Sequence, residues 1–212
     1  MGVTRALAVL AIAAASAHAQ DERRISSPNG RLEFRIFVSQ SEQGGLSRLA
    51  YQVLLRGKPL VDTSFLGLVI DNQEPILGEN VGLTASRPLD GPRYHGLIAE
   101  YMQNGSIGRR INVEVRVFDD GVAFRYVIPR STALDEILID DELTEFDIAG
   151  DARISEAPRP GFPKMSLTVE GRVRVARFGH GESGVAYTGR TPLVCPWRII
   201  TVGADFSADL EK

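Results

Sequence analysis

The stretch Ile111-Asn112-Val113-Glu114-Val115-Arg116-Val117-Phe118-Asp119-Asp120-Gly121-Val122-Ala123-Phe124-Arg125-Tyr126-Val127-Ile128 decides the fold class. Ile111, Val113, Val115 and Val117 alternate with Asn112, Glu114 and Arg116, and Val122, Phe124, Tyr126 and Ile128 resume the alternation beyond Asp-Asp-Gly. Successive side chains of a strand point to opposite faces, so a two-residue period describes a strand with one face against a core. Asp119-Asp120-Gly121 between the two runs is turn chemistry, because Asp-Gly accepts the positive φ angles of a tight hairpin. The stretch therefore predicts two antiparallel strands.

Working outward, Leu32, Phe34, Ile36 and Val38 alternate with Glu33 and Arg35 in the same way. Arg56-Gly57-Lys58 separates apolar residues 51–55 from Leu60 and Val61, and Glu170-Gly171 separates 165–169 from 172–178. The run 173–178 is rougher but β-branched, with Arg174 and Arg177 turned outward. These signals predict roughly a dozen short strands joined by turns, an all-β chain folded as a large antiparallel β-sandwich. No mature segment keeps a helical period over several turns; the nearest, 132–139, is short and acidic. Pro158, Pro160 and Pro163 shape an ordered loop rather than a domain boundary, since apolar residues resume at Met165.

The N-terminus reads as an address. Arg5 precedes an apolar run over 6–15, followed by Ser16-Ala17-His18-Ala19. A positive start, a short apolar centre and an A-x-A site define a secretory signal peptide. Residues 1–19 are expected to be removed after Ala19, leaving Gln20 as the mature N-terminus and 20–212 as one domain. The run is too short to span a bilayer comfortably. A periplasmic or secreted location follows, with no membrane association after cleavage. Losing Arg5 and no acid takes the formal net charge from −3 to −4. The chain has no basic stretch, which excludes nucleic acid as a partner class. With Cys195 as the single cysteine no intramolecular disulfide forms, and a domain of this size stands on its core without one.

Few residues carry candidate chemistry. His95, His180 and Cys195 show no zinc-ligand spacing, and no G-x-S-x-G elbow or phosphate-binding glycine loop occurs. Gly179-His180-Gly181 reads as a loop. Asp135, Glu136, Asp140, Asp141, Glu142 and Glu145 form an acidic run, read as a solvated face without the spacing of a calcium loop. Glu156 differs, because Ile154-Ser155-Glu156-Ala157 surrounds it with small and apolar residues. A partly buried carboxylate requires a cation or several donors, and a salt bridge to an arginine is the plain reading.

Several stretches, in order, resemble the N-terminal domain of glycoside hydrolase family 97, a family of bacterial α-glucosidases and α-galactosidases. Ser27-Pro28-Asn29-Gly30-Arg31-Leu32 is similar to its first strand signal. Gly57-Lys58-Pro59 with Ser64-Phe65-Leu66-Gly67-Leu68 resembles its G-K-P and S-x-L-G-L pair. Phe118-Asp119-Asp120-Gly121-Val122-Ala123-Phe124-Arg125-Tyr126 is close to its Y-N-D-G-V-A-F-R-Y. Thr144-Glu145-Phe146, Ile154-Ser155-Glu156-Ala157 with Met165 and Leu167, and Pro196-Trp197-Arg198-Ile199-Ile200 complete the succession. Ala99-Glu100-Tyr101-Met102-Gln103-Asn104 departs from the family's Y-N-E stretch, and any role of that stretch is not carried over.

The resemblance implies a sandwich of the galactose mutarotase-like fold, packed against a catalytic (β/α)8 barrel that acts on α-linked oligosaccharides. It also implies a calcium ion near the active site of the complete enzyme. There Glu156 matches the glutamate of the family's T-E-A motif, with Ser155 in place of threonine. The catalytic carboxylates lie in the barrel, so no catalytic residue is assigned here and the chain alone is expected to be inactive, a fragment or one part of an enzyme. Surface that a barrel covers is expected to promote self-association. The alternative is a stand-alone carbohydrate-binding module using Trp197, Tyr94, Tyr101 or Tyr187 as stacking platforms. A mutarotase-like activity rests on shared fold alone, which does not give function.

Overall fold

The computed structural model describes residues 20–40, 45–70, 73–105, 108–129, 136–149, 154–156, 166–169, 176–178, 185–188, 193–195, 197–202 and 210. The strands in chain order are β1 (Gln20–Ser26), β2 (Leu32–Ser39), β3 (Arg48–Leu55), β4 (Lys58–Phe65), β5 (Leu68–Ile70) and β6 (Gln73–Leu77). Next come β7 (Val81–Pro88), β8 (Tyr94–Gln103), β9 (Arg110–Phe118), β10 (Gly121–Ile128), β11 (Glu136–Glu142) and β12 (Thr144–Phe146). The last are β13 (Ile154–Glu156), β14 (Ser166–Val169), β15 (Ala176–Phe178), β16 (Val185–Thr188), β17 (Leu193–Val194) and β18 (Arg198–Thr201). The described residues contain no helix, and the end of the acidic segment 132–139 lies in β11.

One sheet runs β1-β2-β3-β4, and a larger one runs β13-β14-β18-β10-β9-β8-β7 with β17 also on β10. Two smaller sheets, β16-β11-β5-β6 and β12-β15, complete the architecture. Among the described strands pairing is antiparallel except between β14 and β18, which run parallel. The all-β sandwich expected from the alternating runs is what forms. It has more strands than the pattern showed, because pieces such as β5 and β12 span only three residues each. Three residues are too few to display a period.

The β9–β10 hairpin closes where the sequence placed it, with Phe118 opposite Gly121. Asp119 and Asp120 form the turn without a positive φ angle. Asp119 serves instead as an acceptor, its Oδ1 2.9 Å from the Asn29 amide. The left-handed angles occur at Arg56 (52°) and Gly57 (78°), between the paired Leu55 and Lys58. Two positive φ values in a two-residue loop are the signature of a type I′ turn, whose twist matches its flanking strands. Glu170-Gly171 lies outside the described residues.

The first sheet faces the larger one across an aromatic centre. Phe34 of β2 stacks on Tyr51 of β3 at 5.4 Å, and Phe124 of β10 lies 5.0 Å from Tyr51 and 5.9 Å from Phe34. Phe146 closes the group 6.2 Å from both Tyr51 and Phe124. All four are essentially inaccessible, and Val113, Val115, Val117 and Ile200 extend the same core. Burial of a large apolar side chain is worth about 1.5–3 kcal/mol, and aromatic pairs add about 0.5–1.5 kcal/mol.

The other face of the larger sheet carries a second cluster of Phe118, Ala123, Trp197, Ile199 and Leu210. Here the guanidinium of Arg116 lies 4.9 Å from the Tyr94 ring and 4.7 Å from the Trp197 ring, while Arg125 sits 4.3 Å from Trp197. Arg125 also pairs with Glu114 at 2.6 Å. The charged residues alternating with the core positions therefore pave a half-buried layer, with their stems on apolar surface.

Candidate functional site

Glu156 ends β13, the terminal strand of the larger sheet. Its backbone pairs with Leu167 of β14, and Leu167 pairs with Ile200 of β18. The side chain of Glu156 lies outside the described residues, as do Ala19, His180 and the segment holding Pro158, Pro160 and Pro163. Gln20 begins β1. Among the described residues no three His, Cys, Asp or Glu side chains come together as a metal site.

The most developed polar cluster is one that the sequence did not single out. Arg198 is 4% exposed, and its Nε donates to Glu142 Oε1 at 2.7 Å. Its second nitrogen also donates to Oε2, making the pair bidentate. Thr144 donates its hydroxyl to Glu142, and the Tyr126 hydroxyl lies 2.6 Å from Thr144 Oγ1. The chain Tyr126–Thr144–Glu142–Arg198 thus joins β10, β12, β11 and β18. Burial draws the Arg198 guanidinium below its ordinary pKa, while burial raises the Tyr126 phenol to about 12. A guanidinium with so high a starting value stays charged at neutral pH, so the pair is ionic. The acidic run is thus not uniformly a solvated face. Glu142 turns inward because Thr144 and Arg198 supply its donors. Only the presence of an arginine in the Pro-Trp-Arg stretch hinted at this, and nothing in the sequence linked that arginine to position 142.

Cys195 is half-buried, and burial pushes its thiol up to about 12. The reactive form is the thiolate, so the folded chain should react slowly with iodoacetamide at about pH 8 and rapidly once unfolded. Equal rates in the two states, read by mass spectrometry, would mean that the site is open.

The aromatic platforms a sugar-binding module needs are mostly committed elsewhere. Tyr101 is fully buried, Trp197 is 7% exposed between two guanidiniums, and Tyr94 packs against Arg116. The Tyr187 side chain lies outside the described residues.

Residues 91–154 match the family model described as Glycosyl-hydrolase 97 N-terminal. A retaining alpha-galactosidase of Bacteroides thetaiotaomicron is 28% identical over 121 residues, which cover 53% of this chain and 17% of that protein. A glycoside hydrolase family 97 enzyme from Pseudoalteromonas sp. strain K8, solved with acarbose, superposes with a TM-score of 0.61 at 17% identity. That match covers 85% of this chain and 35% of the enzyme. A beta-arabinopyranosidase gives a TM-score of 0.59 at 18% identity over 87% of this chain and 40% of its own. The chain spans about a sixth of the curated relative's length and well under half of these solved chains. Fold and matches define a β-sandwich domain of the kind found within larger glycoside hydrolases. Residues 91–154 are thus similar to the N-terminal domain of glycoside hydrolase family 97.

Proposed function

We propose that this chain is the non-catalytic N-terminal part of an exported α-glycosidase, supporting a catalytic (β/α)8 barrel and lending Glu156 to its calcium site. The observation that carries the reading is the asymmetry of coverage: the sandwich accounts for 85% of this chain but 35% of a family 97 enzyme. Glycoside hydrolysis requires two carboxyl groups placed across the scissile bond. In the proposed division of labour the barrel supplies both, and α-linked oligosaccharide binds there. The edge position of β13 supports the role given to Glu156, since an edge strand is where a sheet meets a neighbouring body. The Arg5-led apolar run before Gln20 supports export to the periplasm or beyond.

The purified chain should release no nitrophenol from p-nitrophenyl α-galactoside or α-glucoside. Calcium should leave its thermal midpoint unchanged, because a calcium ion takes about 6–8 oxygen ligands and one carboxylate does not satisfy it. Turnover by the chain alone, or a calcium-dependent rise in its midpoint, would overturn this division of labour.

A further inference from the structure

We draw no further inference here: the strongest candidate, the buried Arg109 side chain between β8 and β9, whose Nε and Nη2 have no hydrogen-bond partner, carries nothing because both nitrogens are closed off from solvent and nothing among the described residues shows what anion would reach them.

Discussion

Glu142→Ala should lower the unfolding free energy by about 3–5 kcal/mol, because it removes the carboxylate that takes two bonds from the buried Arg198 guanidinium. Arg198 is 4% exposed, and Glu142 retains 17% of its side-chain surface, so the upper end of that range requires that little water enters. The Thr144 hydroxyl loses its acceptor in the same step, while the Tyr126 hydroxyl keeps Thr144 Oγ1 as its partner. The replacement of both charged partners together, as Glu142→Leu with Arg198→Met, should recover most of the loss. An uncompensated buried charge costs more than an apolar pair of similar volume. Urea unfolding of the two single variants and the double variant measures this directly. A loss below about 1 kcal/mol in Glu142→Ala would place the pair among solvated surface bridges instead.

Phe124→Ala should cost a comparable amount, about 3–5 kcal/mol, through a cavity at the junction of the two facing sheets. Phe124 contacts Phe34, Tyr51 and Phe146, which come from three different strands, so backbone collapse around the void would have to move both sheets. Against a typical domain stability of about 5–15 kcal/mol, either substitution brings the fold near its limit at physiological temperature. Phe124→Leu keeps most of the volume and should cost less than half as much. A lowered urea midpoint with an unchanged slope is the expected signature. A small loss in Phe124→Ala would mean that the sheets are not packed through this aromatic centre.

The parts of this architecture that were legible from sequence are those where one physical signal acts over many residues. The runs 111–117 and 122–128 repeat a two-residue period long enough to name strands, inner face and hairpin together. Position-specific partnerships were not legible. Glu142 and Arg198 are 56 residues apart, and nothing in an acidic run marks which carboxylate turns inward. The type I′ turn at Arg56-Gly57 was legible as a turn, whereas Asp120-Gly121 was assigned positive φ angles that neither residue adopts. The reason is that an Asp in a turn can act through its carboxylate as well as through its φ angle, and Asp119 takes the first route to Asn29. Trp197 is buried on the face of the larger sheet away from the main core, between arginines. An apolar strand buried on both faces carries no alternation to tell the two apart. Glu156 was picked out by its small and apolar neighbours, and the structure contributes its place on a sheet edge.

If the sandwich works as one domain of a larger exported glycosidase, as proposed, the native protein must be much heavier than this chain. An antibody raised against the sandwich would be used to blot the producing cells and their periplasmic fraction. A band far above the 23.1 kDa of this chain is expected. A single band at or just below 23.1 kDa would contradict it and leave a domain that functions alone.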